Sequence, residues 1–466
     1  MSDQFSNAQQ IRKPAVVSKG GIVAAQSRKA AEVGAAVLAD GGDCVDAVIA
    51  TTFALGVLEP WMSGVGGGGA MVLYRARENR YEVIDYGMRA PASLRLEDYP
   101  LTDDGAASDI FPWARVRDDR NMHGPSSIAV PGVVAGMEEA HRRYAKMPWK
   151  ELLGPSVDLA GEGLLVDWWT TLMIASSAAD LRRYPASTAA YLLDGLPPNA
   201  QWSIKSSVRL PQDRLKATLS YLAVEGPRDF YQGDLARSIA TDVQAAGGSL
   251  DVEDLAAFRA YGREALTIPY RGGNVYATPE LTCGPTLAHA LRLLQQKLQP
   301  ARGGPDASAY TEYALALQSA YRERLQDMGD ADGRRALGAE HLAPACTTHF
   351  SVVDRDGNMA AVTQLLSFVM DYGMDLDAAI HTPRIDASEG AVVIGDVRLP
   401  AQTRDALRAR FDFEEARVQT FPMKFACPSV VLRDGETNSG ACESAQPWGD
   451  AVAERQRRAC VRDRSD

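Results

Sequence analysis

The stretch from Ala345 to Gln364 limits what this chain can fold into more than any other. Two strand-forming runs, around Phe350–Val352 and Ala360–Val362, flank Asp354-Arg-Asp-Gly-Asn358. Runs of this kind separated by an Asp/Gly/Asn turn predict a β-hairpin. Thr347, Thr348 and His349 stand just before the first strand, so Thr347 is expected at a strand tip. It follows a Gly- and Ala-rich segment without clear periodicity, Gly329 to Cys346. On these residues alone, an ordinary hairpin with threonines at its edge is the stronger reading. A cut between Cys346 and Thr347 changes the chemistry. The new α-amine, with an ordinary pKa of about 8, would lie beside its own hydroxyl. One residue would then supply both base and nucleophile.

The 466 residues are ample for a large core, and 46% hydrophobic with 23% charged residues fits a globular chain. A net charge of −11 argues against nucleic acid or an anionic membrane as partner. The six cysteines and six histidines are scattered, with no C-x-x-C and no H-E-x-x-H. That pattern predicts free thiols in a reducing compartment, no metal and no cofactor. The N-terminal residues lack an apolar signal region and no later window offers a membrane span, so a cytoplasmic location is expected.

In chain order, residues 22–40 read as an Ala-rich amphipathic helix ending at Gly41-Gly42. Asp43 caps a second helix, apolar nearly all round to Leu58 and therefore buried. Gly64-Val-Gly-Gly-Gly-Gly69 lacks the spacing of a phosphate loop, and its bland reading is a tight turn or close packing. Strands are expected at Ala70–Tyr74 and Tyr81–Asp85, and Pro131-Gly132 opens a helix to about Arg143. Strands follow around Arg271-Gly-Gly273, then helices at Leu287–Leu298 and Ala309–Met328. After the hairpin come a strand at Gly390–Gly395, a helix at Pro400–Arg410 and a hairpin ending at Cys442. A last helix is expected after Trp448.

Thr347-Thr-His-Phe-Ser-Val-Val-Asp-x-x-Gly-Asn358 resembles the start of the small subunit of γ-glutamyltransferases (γ-glutamyltranspeptidases, glutathione hydrolases). These are self-cleaving N-terminal-nucleophile hydrolases. Upstream blocks agree: Gly41-Gly-Asp-Cys-Val-Asp-Ala47, Gly64–Gly69, Pro131-Gly132 through Gly136, and Phe230-Tyr-Gln-Gly233. The resemblance implies an α/β (α+β) fold, the four-layer αββα sandwich. A large segment, 1–346, and a small one, 347–466, would stay associated after cleavage as one domain. It makes Thr347 the catalytic residue, with Thr348, His349 and Thr363 in support. The implied substrate is a small γ-glutamyl compound or related amide, with transfer of its acyl group to water or an amine.

Two departures matter. In the family's D-x-R-E-x-A-P block an arginine grips the substrate carboxylate, whereas Asp85-Tyr-Gly-Met-Arg-Ala-Pro91 puts Gly87 there and an arginine at Arg89. If this piece is extended, 87 and 89 share a face. Arg89 is thus a candidate substrate-binding residue; the equal alternative is that the clamp is absent and the acyl group differs. Second, residues 347–466 contain neither the Gly-Gly pair of the family's oxyanion hole nor its Ser-Ser pair, and Leu365 stands where a supporting threonine belongs. We infer an internal deletion after Gln364 that leaves the sandwich incomplete in its C-terminal part. Pro447-Trp448 resembles the oxamate-amidohydrolase and acylase branch. The sequence leaves open a γ-glutamyl enzyme, an amidohydrolase or acylase acting on another amide, and an inactive member lacking the oxyanion hole.

Overall fold

The computed structural model describes residues 11–106, 114–200, 207–280, 282–327, 348–360, 365–388, 391–421 and 423–455. Its centre is a seven-stranded antiparallel sheet. In spatial order the strands are Asp450–Ala453, Ile22–Ala25, Phe350–Val353, Met359–Ala360, Gly69–Arg75, Arg80–Tyr86 and Tyr261–Glu264. A second antiparallel sheet has three strands, Val16–Ser18, Thr437–Cys442 and Ser429–Asp434. Ile22, Ala24, Val353 and Ala451 of the first sheet pack on Val431 and Cys442 of the second. The Ser351 hydroxyl also donates across the gap to the Ser429 carbonyl at 2.8 Å.

Helices cover both outer faces. Arg28–Ala39, Cys44–Leu58 and Val133–Tyr144 bury Val23, Ala25, Leu73, Ile84 and Val352. Val430 and Ala441 of the small sheet face Ala307–Asp327 and Leu376–His381. The layers run helix, sheet, sheet, helix, and the second sheet has only three strands among the described residues. The junction at 361–364, where the deletion is inferred, lies outside the described residues.

Two expected helices are strands. Ile22–Ala25 is the central partner of Phe350–Val353, and the helix begins at Arg28. All four residues are fully buried, so the strand shows none of the alternation that would have marked it. The end of the described chain is strand Asp450–Ala453, not a helix, and it pairs with the other side of Ile22–Ala25.

The predicted caps are present. Gly41, at φ 101°, ends the first helix, where the Gly42 and Gly41 amides donate to Val37 and Leu38 carbonyls. Asp43 and Asp46 form a reciprocal capping box at the start of Cys44–Leu58. The glycine run serves close approach. The Gly67 carbonyl accepts the Gly132 and Val133 amides at 2.8 and 3.0 Å, and a Cβ on Gly132 would lie 1.8 Å from the Tyr86 carbonyl oxygen. Pro131-Gly132 thus lets helix Val133–Tyr144 start hard against the end of strand Arg80–Tyr86.

The turn of the 350–360 hairpin is tied to the helical layer. Buried Asp354 accepts from the Cys44 amide (3.2 Å), the Asn358 amide (3.0 Å) and the Asn358 side chain (2.7 Å). Asn358 Oδ1 in turn accepts from the Ala76 amide at 3.0 Å. Asp354→Ala leaves these donors without their acceptor in a dry site. It is expected to cost about 3 kcal/mol in urea unfolding; a loss below about 0.5 kcal/mol would contradict the account.

Candidate active site

Register brings the sequence-predicted residues to one end of the large sheet. Phe350 pairs with Ala25, Gly69 with Tyr86, and Asp85 with Tyr261. Thr348 and His349, the Gly64–Gly68 turn and Gly87–Arg89 therefore leave their strands at the same end. Thr347 and Thr363 lie outside the described residues, but Thr348 is bonded directly to Thr347.

Glu59 meets Thr348 there. It ends helix Cys44–Leu58, its amide donating to the Leu55 carbonyl at 2.8 Å, and its own carbonyl accepts the Met62 and Ser63 amides. Its side chain is completely buried. Thr348 Oγ1 donates to Glu59 Oε2 at 3.3 Å, and Oε1 has no hydrogen-bond partner among the described residues. Burial pushes the Glu59 carboxyl up to about 7, and the Thr348 hydrogen bond opposes that only partly. A carboxylate at the negative end of a helix is unfavourable as well. Glu59 is thus a buried acid with no cation beside it among the described residues, poised near neutral pH, which is a functional-site signature.

His349, next in sequence, is held neutral: burial lowers it to about 4, and the Ser429 amide donates to Nδ1 at 3.4 Å. It pins the first strand to the small sheet. Arg89 lies at the same end of the sheet as Thr348 and is engaged. Its guanidinium lies 4.8 Å from the Tyr261 ring centre and 5.3 Å from that of Phe258, and it donates to the Tyr261 hydroxyl. Leu365, standing where a supporting threonine was expected, is buried in the core behind the small sheet.

Sequence reasoning missed Glu59 and the aromatic wall near it. Trp61, two residues on, packs on Trp448 with ring centres 5.5 Å apart. Trp448 Nε1 donates to Asp167 Oδ2 at 2.6 Å, while Trp61 Nε1 is buried without a partner among the described residues. Lys13 holds the Trp448 loop from behind, donating to the Glu443, Gln446 and Gly449 carbonyls, and burial lowers its pKa. The available signal was an acid closing an otherwise apolar helix, Leu58-Glu59-Pro60. A cleft of about 960 Å³ beside Trp448 runs along edge strand Asp450–Ala453. Thr348, Glu59 and Arg89 do not line it.

The family model of gamma-glutamyltranspeptidase matches residues 30–344. An acylase ACY 1 proenzyme from Pseudomonas sp. (strain V22) is 33% identical over 384 residues, covering 76% of this chain and 67% of that protein. The glutathione hydrolase proenzyme of Escherichia coli (strain K12) is 28% identical over 469 residues, covering 91% and 74%. Among solved structures, a cephalosporin acylase from Bacillus halodurans shares the fold. Its TM-score is 0.79 at 20% identity, over 97% of this chain and 99% of that one. The fold and these likenesses define an N-terminal-nucleophile hydrolase of the γ-glutamyltransferase, glutathione-hydrolase and acylase superfamily. Within it, this chain belongs to the gamma-glutamyltranspeptidase family.

Proposed function

We propose that this chain is an acylase-type amide hydrolase whose nucleophile, Thr347, is freed by cleavage of its own Cys346–Thr347 bond. The observation that carries the choice of substrate class is the Gly87-Met88-Arg89 departure. The family's carboxylate-gripping arginine is replaced by glycine, and the nearby Arg89 is occupied by Tyr261 and Phe258. The identity to an acylase proenzyme, 33% against 28% for the E. coli glutathione hydrolase, supports the same side.

In the first half-reaction the Thr347 hydroxyl proton passes to the α-amine as Oγ bonds to the amide carbon. The ammonium then protonates the leaving amine as the C–N bond breaks, giving a threonyl ester. Water attacks that ester with the amine again as base, releasing the acid and restoring Thr347. Neither a metal nor a cofactor has a step here.

Denaturing electrophoresis with N-terminal sequencing tests the cut: two fragments are expected, the smaller beginning at Thr347. A full-length chain overturns the reading. Initial rates on a small N-acyl amide against a γ-glutamyl anilide test the substrate class, and faster turnover of the anilide would reinstate the γ-glutamyl reading. Arg89→Ala supplies a further check. If Arg89 still serves as a displaced clamp, the variant raises KM for the anilide without lowering the melting temperature. On the acylase reading, KM for the N-acyl amide stays within about twofold, as for other changes that remove no binding contact.

A further inference from the structure

We propose that Ser319, His289 and Glu323 form a second nucleophilic site, a serine esterase centre on helices Gly284–Lys297 and Ala307–Asp327 that makes no use of Thr347. The two helices share one core, through Leu291 and Leu294 on the first and Tyr313 and Ala316 on the second. Ser319 and Glu323 are four residues apart on one helix and so share a face. His289 meets that face from the other helix. Its Nε2 lies 3.1 Å from Ser319 Oγ. Its Nδ1 is in contact with the Glu323 carboxylate, at Oε2. A carboxylate oxygen only accepts, so it selects the tautomer with the proton on Nδ1. That leaves the Nε2 lone pair for the seryl hydroxyl. The order hydroxyl, imidazole, carboxylate is that of a catalytic triad, recognised by geometry and not by position in the chain.

The chemistry balances with these groups and water. Burial, and after it the charge of Arg292, lowers His289 from 6.5, so the imidazole is a free base at neutral pH. Ser319 is partly exposed, and a small ester reaches it from solvent. Ser319 Oγ bonds to the ester carbonyl carbon as its proton passes to His289 Nε2. The C–O bond to the leaving group breaks, and that oxygen takes the proton back from the imidazolium. Water then attacks the seryl ester with His289 again as base, releasing the acid and restoring Ser319. Glu323 is a positioning residue that keeps its charge throughout. The substrate class follows from what is missing. Ser319 lies inside a helix, where its amide is committed to the helical ladder and forms no oxyanion hole. Each absent donor of that kind costs roughly 10²–10³ in rate. Arg292, three residues along from His289, brings positive charge to the same face. The site is therefore limited to esters with a good leaving group, such as phenyl esters, and does not reach amides.

The test uses the full chain carrying Thr347→Ala, with p-nitrophenyl acetate as the probe. Release of p-nitrophenolate above the buffer rate is expected. Adding Ser319→Ala should lower that rate at least about tenfold, and adding His289→Ala by on the order of 100-fold, the lower end of what a general base supplies. Alanine is the better helix former, so Ser319→Ala keeps the helix. Glu323→Gln should lower kcat by about tenfold and leave KM within about twofold, because it orients the base and binds nothing. A second measurement needs no variant. Diisopropyl fluorophosphate is added to the parent, where Ser319 Oγ displaces fluoride from phosphorus, and peptide mass mapping should find the adduct on Ser319. Three results each overturn the proposal: no ester turnover by the Thr347→Ala chain, an unchanged rate once Ser319 is replaced, or a parent chain unlabelled at Ser319. A Glu323→Gln chain with the parent's kcat removes Glu323 from the site. Cleavage before Thr347 does not enter any of these measurements, so the amide-hydrolase reading and this one stand or fall separately.

Discussion

Thr347→Ala is expected to run as one full-length band and to hydrolyse no amide above background. The substitution removes the atom that forms the acyl bond. It acts twice, because the same Oγ attacks the Cys346 carbonyl during maturation and the substrate carbonyl afterwards. Loss of a covalent nucleophile costs on the order of 10⁴–10⁶ in rate, since the remaining groups only bind and polarise. Thr347→Ser keeps the oxygen and should still be cut, more slowly, because serine lacks the methyl group that restricts the threonine rotamer. Electrophoresis over a time course and initial rates on the N-acyl amide read both effects. Fragments of unchanged size from Thr347→Ala would place the cut elsewhere and remove Thr347 from the mechanism. An uncut chain that still turns over amide would separate activity from processing and sink the reading equally.

How far the sequence reached depended on the kind of signal each residue carried. The 350–360 hairpin, the Asp43 cap and the Gly41 stop were readable because each is a local device: a turn composition, a side chain reaching its own helix, a residue with positive φ. Ile22–Ala25 was not readable. A strand buried on both faces has no period to show, and four apolar residues leading into an Ala-rich helix continue its pattern. Asp450–Ala453 depends on that same strand as its partner, so missing one hid the other. The site followed the same rule. The block from Thr347 to Asn358 is contiguous and could be matched. Glu59 is 289 residues from its partner Thr348, and only the register of the large sheet brings them together. Arg89 was a candidate on local spacing alone; its engagement with Phe258 and Tyr261 is a tertiary fact that a local pattern cannot hold.

Glu59 also predicts an unusual dependence of stability on pH. Its carboxyl titrates at about 7 in the folded protein, against an ordinary glutamate value of 4.5. Between those values the unfolded chain has lost the proton and the folded chain has kept it. The unfolded state then binds fewer protons, so stability falls as pH rises from about 4.5 through 7 and stays low above that. The rise corresponds to about 3 kcal/mol at pH 8. Buried His349 runs the other way: its pKa is lowered from 6.5 to about 4, so it favours the folded state above pH 6.5 and loses that contribution as pH falls through 4. His349 is present in both parent and Glu59→Gln, so it cancels when their stabilities are subtracted at each pH. The amide brings its own cost, because one of its N–H groups falls where Oε1 now lacks a partner. That cost does not change with pH. The quantity to measure is therefore the difference between Glu59→Gln and parent in urea unfolding at pH 5 and again at pH 8. It should move in favour of the variant by roughly 2–3 kcal/mol between the two, because part of the loss is already present at pH 5. Parallel stability curves would mean that Glu59 titrates as an ordinary exposed carboxyl, and with that the buried acid beside Thr348 would lose its physical basis. A confirmed shift would mean that the chain holds a destabilising charge in a dry site beside Thr348.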